Sequence, residues 1–276
     1  MGRPRELRSR ITIRSKIHTF LCTVLRDPGE ALDRTRNFLD SRTSRGPTSK
    51  MANYALQLSD GLARLTALYG DASRLLEERA LYDVRAAINR EWKRVVGQGV
   101  FSGAHNADPA LGELCYALCR LLRPAVVLET GVAYGVTSAH ILAALAVNGR
   151  GRLHSIDLPP LGVESDGYVG RLVPEHLRTR WELHRGESAR VLPRLLRELP
   201  SVGLFVHDSL HTYRCIRNEL ECVAACLAKD SAVIVDDMQT NRAFDHWVEW
   251  VHPQEALCIQ ERCKRAVCGV AAFSGR

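Results

Sequence analysis

Residues 125–138 read Ala-Val-Val-Leu-Glu-Thr-Gly-Val-Ala-Tyr-Gly-Val-Thr-Ser. The apolar run Ala125–Leu128 predicts a short strand buried on both faces. Glu129 stands at its carboxyl end, Gly131 and Gly135 bracket a tight turn, and a helical run follows from Val136 to Leu145. Strand, acid, glycine turn and helix make a nucleotide-type ligand site. The glycines admit close backbone approach, and the helix start offers free N–H groups. A diphosphate-binding turn reads G-x-G-x-x-G, whereas this one reads E-x-G-x-x-x-G. A carboxylate beside the turn suits a cationic or amine-bearing ligand better than a diphosphate, and the spacing argues against a nicotinamide dehydrogenase.

Downstream of this stretch the chain alternates. Strands are expected at 125–129, 152–157, 181–184, 203–207 and 231–235, with helices at 136–147, 172–179, 189–199, 212–227 and 241–250. Two closing strands, 256–260 and 267–273, flank a short basic turn. Short apolar strands alternating with helices predict an α/β fold: a doubly wound, mostly parallel, seven-stranded Rossmann-like sheet with an antiparallel edge.

Upstream, the pattern is helical. Ile13, Ile17, Phe20, Leu21, Val24 and Leu25 fit one amphipathic helix, and further helices are expected at 52–69 and 72–95. Ser41–Lys50, polar with Gly-Pro, reads as a linker. Asp108-Pro109 opens the next helix, with Asp as cap and Pro in the first turn. These features divide the chain into a basic arm with linker (1–50), a helical region (51–100) and the α/β domain (101–276). The N-terminal helices are expected to dock on that domain or to build a homo-oligomer. The loop 97–106 is expected over a bound acceptor or at such an interface, and the long segment Leu158–Val173 is also placed to contact an acceptor.

The formal charge of +7 is local: residues 1–50 hold 12 basic and 5 acidic residues, and the remaining 226 hold 26 of each. The domain therefore lacks the basic surface of a nucleic-acid binder. No apolar run reaches the ~18 residues of a membrane span. Nine cysteines, an odd number, without zinc-finger spacing, predict free thiols in a reducing, cytoplasmic setting.

In an open parallel sheet, ligands bind beyond the carboxyl ends of the strands. Those ends carry Glu129, Asp157, Gly186-Glu187-Ser188, His207-Asp208-Ser209-Leu210-His211 and Asp236-Asp237. Acids at five strand ends are a built crevice. Asp208, Asp236 and Asp237 offer oxygens for one hard ion such as Mg²⁺. His211, three residues past Asp208, is placed to take a proton from a hydroxyl at neutral pH.

In this order, ETGVAYGVTS (129–138), HSIDLPP (154–160), LFVHDSLHTY (204–213) and VIVDDMQTNRAF (233–244) resemble the class I S-adenosylmethionine-dependent methyltransferases. More narrowly, they resemble the small-molecule O-methyltransferases of macrocin and catechol type. The resemblance covers about residues 98–275. It implies that Glu129, Gly131 and Gly135, with Ser138, hold the methionine part of S-adenosylmethionine. Asp157 would hold the ribose, and Glu187 or Ser188 the adenine. Asp208, Asp236 and Asp237 match the family's metal-binding acids, and His211 its general base, with Asp208 beside it. Asp-Ser-Leu-His stands where many relatives have Asp-Gly-Asp-His, so Mg²⁺-assisted and metal-free catalysis both stay open. The function implied is methyl transfer to a hydroxyl of a small molecule: a sugar, polyketide or phenol. An RNA or protein methyltransferase, or a non-catalytic domain of the same fold, are the alternatives. No Asn-Pro-Pro-Tyr-type motif supports the former, and the intact strand-end acids speak against the latter.

Overall fold

The computed structural model describes residues 13–44, 46–95, 101, 107–161 and 165–275. Two helices, α1 (Ile13–Arg26) and α2 (Pro28–Thr43), come first, then α3 (Leu58–Tyr69), α4 (Arg79–Val95) and α5 (Pro109–Leu122). The α/β run follows: β1 (Val126–Thr130), α6 (Val136–Asn148), β2 (Arg152–Asp157), β3 (Trp181–Arg185), α7 (Ser188–Glu198), β4 (Val202–His207), α8 (Tyr213–Ala224), β5 (Leu227–Val235) and α9 (Ala243–Val251). The strands β6 (Glu255–Gln260) and β7 (Val267–Phe273) close the chain.

The seven strands order as β3-β2-β1-β4-β5-β7-β6. All neighbours are parallel except those of β7, which runs antiparallel to β5 and to β6. This is the expected doubly wound sheet with its antiparallel edge. β1 and β4, buried along their whole lengths, sit at the centre, where the winding reverses. Leu114, Leu118, Ile141 and Leu142 build the core on one face with the helices α3–α6, and Leu192, Leu220 and Trp247 build the other with α7–α9. Because β7 reverses, the carboxyl end of β6 returns to the same edge of the sheet as the carboxyl ends of β1, β4 and β5.

The α5 cap works as its sequence implies. The Asp108 side chain accepts N–H groups from Ala110 (2.8 Å) and, across the molecule, from Arg262 (3.1 Å), Cys263 (2.7 Å) and Lys264 (3.2 Å) of the β6–β7 turn. One carboxylate thus caps a helix and anchors that turn, and these four bonds hold its ionisation below the usual range even though burial opposes it.

Four local expectations change. The expected linker at 41–50 begins as helix, since α2 runs to Thr43, and its far end docks on α9, with Ser49 Oγ and the Lys50 N–H donating to Asp245. The expected helix 52–69 is interrupted at Leu56, which pairs with Ile259 beside β6, and helix 72–95 begins as a 3₁₀ turn with α4 proper starting at Arg79. The expected helix 172–179 is a 3₁₀ segment at Glu175–Arg180. The loop expectation at 97–106 falls outside the described residues except for Phe101, and residues 1–12 lie outside them altogether. All nine cysteines are free thiols. Among the described residues, no helix is long and apolar enough to cross a membrane.

Candidate active site

The crevice lies beyond the paired carboxyl ends of β1 and β4, from which the chain leaves to α6 on one face of the sheet and to α8 on the other. Glu129 is fully buried, and its Oε2 accepts hydroxyls from Ser138 and from Ser155, each at 2.6 Å. Its Oε1 has no partner. Burial, which outweighs the two serine hydrogen bonds, pushes its pKa up to about 7. A buried carboxylate with a bare oxygen is a place for a cationic group, and a ligand's positive charge there would restore its ionisation.

Beyond Glu129 the chain turns through Gly131 (φ +83°), Ala133 (φ +47°) and Gly135 (φ +87°), the last being the cap of α6. A Cβ on Gly131 would lie 1.9 Å from the Asp208 carbonyl oxygen, and one on Gly135 would lie 2.8 Å from Gly170 Cα. The glycines are thus required by the chain's own close approaches. Asp157, at the end of β2, holds this turn. Its Oδ2 accepts N–H groups from Val132 (2.6 Å) and Ala133 (2.9 Å). The turn is covered by part of the segment expected to meet an acceptor: the Gly170 N–H donates to the Ala133 carbonyl and the Leu172 N–H to the Tyr134 carbonyl, both at 2.9 Å.

Next to this end lies a cavity of about 400 Å³, lined by Glu187, Ser188, Cys215 and Glu219 and roofed by Asp33, Asn37 and Asp40 of α2. Asn37 Nδ2 donates to Glu187 Oε2 at 2.5 Å, Asp40 accepts the Thr212 hydroxyl at 2.5 Å, and Glu30 pairs with Arg185. The N-terminal arm is therefore part of the wall around Glu187 and Ser188.

The fourth and fifth strand ends converge. Ligating atoms of Asp208, His211 and Asp236 lie within 4.8 Å of one another. His211 Nδ1 lies 3.3 Å from the Asp236 carbonyl oxygen. A carbonyl only accepts, so that ring nitrogen carries the proton, and Nε2 keeps its lone pair. Nε2 stands 3.8 Å from both Asp208 Oδ1 and Asp237 Oδ2. Burial, and next the neighbouring His207, lower the His211 pKa, so the ring is neutral near pH 7. Asp237 adopts a left-handed backbone (φ +49°) and its Oδ1 accepts Gln239 Nε2 at 3.0 Å.

Two residues of this centre escape a reading of motifs. Glu261, just past β6, is 4% exposed with both carboxylate oxygens unpartnered. Burial and then Asp236 push its pKa up to about 9, and burial and Asp236 likewise raise Asp208. Lys264 offsets this crowding of buried acids only in part, and Asp236 Oδ1 is also unpartnered. Such a donor set fits a hard divalent ion. Beneath them Glu219 accepts from His207 Nδ1 (2.7 Å), Thr130 Oγ1 (2.5 Å) and Ser209 Oγ (2.9 Å). Burial alone would raise Glu219, but His207 first, and then hydrogen bonds from Ser188 and Thr130, bring it down to about 2. The His211 ring meets His207 edge to face, with centroids 5.6 Å apart, so this buried pair forms the floor under His211.

Residues 128–238 match the family model for a methyltransferase domain. The fold is similar to that of the O-methyltransferase TomG from Streptomyces achromogenes, involved in tomaymycin synthesis and solved with S-adenosylmethionine: 16% identity, TM-score 0.50, covering 82% of this chain and 99% of that one. It is also similar to an O-methyltransferase from Bacillus cereus solved with S-adenosylhomocysteine: 12% identity, TM-score 0.52, covering 80% and 99%. No curated protein matches the chain.

Proposed function

We propose that this chain is a class I S-adenosylmethionine-dependent methyltransferase, a reading supported by the match of residues 128–238 to a methyltransferase-domain model, and that it moves the methyl group onto a hydroxyl oxygen of a small molecule. The observation that carries this reading is His211: its Nδ1 proton is tied to the Asp236 carbonyl, and its bare Nε2 stands between Asp208 and Asp237 at the crevice. An acceptor hydroxyl there would lose its proton to Nε2, and the resulting imidazolium would be stabilised by the two flanking carboxylates. The names of the two similar O-methyltransferases support an oxygen acceptor.

Bound S-adenosylmethionine would supply the methyl group on its sulfonium sulfur. Glu129, whose Oε1 is bare, would face the positive charge of its methionine end, held by the turn from Gly131 to Gly135. Asp157 keeps that turn in shape, while Glu187 and Ser188 border the cavity suited to its base. The chain's task is to align acceptor oxygen, methyl and sulfur and to remove one proton. Asp208 and Asp236, with Asp237 or Glu261 beside them, would hold a divalent ion such as Mg²⁺, which would lower the pKa of an acceptor hydroxyl.

The test is mass spectrometry of pooled natural-product sugars, polyketides and phenols incubated with labelled cofactor. Label on hydroxyl oxygens of small molecules is expected. Label found in RNA or protein, with none in small molecules, overturns the acceptor class. The same reading includes self-association through α1 and α2, whose Leu21 (58%), Leu25 (85%) and Phe38 (58%) are exposed. Light scattering should then give more than one chain per particle, and a monomer would refute it.

A further inference from the structure

Away from the crevice, two histidines and a glutamate meet on the β2–β3 edge. The parallel register sets His154 opposite Glu182. Side chains two apart on a strand share a face, so Glu182 and His184 project together beside His154. His154 Nδ1 lies 3.2 Å from His184 Nε2 and 3.7 Å from Glu182 Oε2, and His184 Nε2 lies 3.6 Å from Glu182 Oε1. We propose that His154, Glu182 and His184 form a transition-metal site, suited to Zn²⁺, that clips the edge strand β3 to β2.

The geometry matches the chemistry. Bonds of about 2.0–2.2 Å to one tetrahedral ion hold neighbouring donors roughly 3.2–3.6 Å apart, nearly the three separations found here. Two imidazoles and a carboxylate select a borderline ion over Mg²⁺, which prefers oxygen donors. The three donors sit on regular strands, so little reordering is needed to bind. Burial decreases outward, from His154 (side chain 9% exposed) through His184 (22%) to Glu182 (51%), so an ion can enter and keep water as a fourth ligand. Arg152, two residues before His154 on β2, adds a positive charge that opposes a cation. The clip has a mechanical use. β3 is the sheet edge and half exposed, and β2 and β3 end in Asp157 and Arg185, which hold the glycine turn and α2 respectively.

The experiment is Zn²⁺ titration calorimetry on the chelator-stripped full chain with Mg²⁺ in excess, beside X-ray absorption at the zinc edge. One site per chain is expected, with a nitrogen-and-oxygen shell free of sulfur and a rise in melting temperature on loading. His184→Ala and Glu182→Gln, both at the half-exposed edge, should fold as wild type and each weaken Zn²⁺ by more than about tenfold. Arg152→Ala should tighten it. Equal Zn²⁺ affinity in wild type and His184→Ala overturns the proposal, as does a sulfur shell, which would place the ion on cysteines such as Cys22 or Cys263. Loss of Zn²⁺ binding in Asp236→Asn with none in His184→Ala also overturns it, by assigning the ion to the crevice.

Discussion

A Cβ on Gly131 would lie 1.9 Å from the carbonyl oxygen of Asp208, so the ends of β1 and β4 touch at the one residue without a side chain. The Gly131 φ of +83° adds a second reason, since L side chains rarely adopt it. The requirement for glycine here is structural before it concerns any ligand. Gly131→Ala is therefore expected to lower the melting temperature as well as cofactor affinity, because Asp208 must move to make room. Thermal melts of the ligand-free variant check this. A wild-type melt with lost cofactor binding would instead place the added side chain in ligand space alone.

Glu129 makes the protein's stability depend on pH in an unusual sense. Its folded pKa, near 7, lies above the unfolded value of 4.5. The folded state thus holds more protons between these limits, and its stability is fully present below pH 4.5 and falls as pH rises through 7. A shift of that size corresponds to about 3 kcal/mol. Cofactor affinity should move the other way, rising with pH as the carboxylate ionises to face a cation. Glu129→Gln keeps an acceptor for Ser138 and Ser155. It is expected to flatten both dependences and to weaken S-adenosylmethionine binding at pH 8. Denaturant melts and calorimetry at pH 5, 6.5 and 8 read this out, and an unchanged pH slope in the variant would refute it.

The strand ends were legible because each joins an apolar run, which reports burial, to an acid that burial would otherwise exclude. The Asp108 cap was legible because its pattern is local. α2 was not. Its buried residues are only Glu30 and Ala31, and it docks through Asn37, Asp40 and Glu30 rather than an apolar stripe, so periodicity carries little signal. Glu261 lies in a basic turn, and its role depends on β7 reversing direction and on Asp108 gripping residues 262–264, both long-range facts. Glu219 reads as one acid on an amphipathic helix until the fold sets it beside His207.

The N-terminal arm therefore matters to the site. Removing residues 1–12 should leave cofactor affinity unchanged. Asn37→Ala should not, because it strips the buried Glu187 of its donor. An unpaired buried polar group costs about 1–3 kcal/mol. Both a lower melting temperature and a several-fold weaker affinity for S-adenosylhomocysteine are expected. Wild-type values for both would separate α2 from the site.

In the proposed mechanism His211 bears the chemistry, and its neighbours distinguish two routes. His211→Ala should lower turnover by the ~10²–10⁴-fold typical of a lost general base, with cofactor affinity unchanged. The residual rate should climb with pH as the acceptor ionises unaided. The acids give a separate reading. If a divalent ion is used, Asp236→Asn and Glu261→Gln should each weaken Mg²⁺ binding measured by calorimetry, and a chelator should reproduce their loss of turnover. If the acids instead work as protonated carboxyls, the chelator should have no effect. Glu261→Gln, which removes one buried ionisable group from beside Asp236, should then raise the melting temperature much more at pH 8 than at pH 5, since the folded Glu261 keeps its proton up to about pH 9 while the unfolded one gives it up from about 4.5. His211→Ala with wild-type turnover would remove the base from its place between Asp208 and Asp237, and with it the hydroxyl chemistry proposed for this crevice.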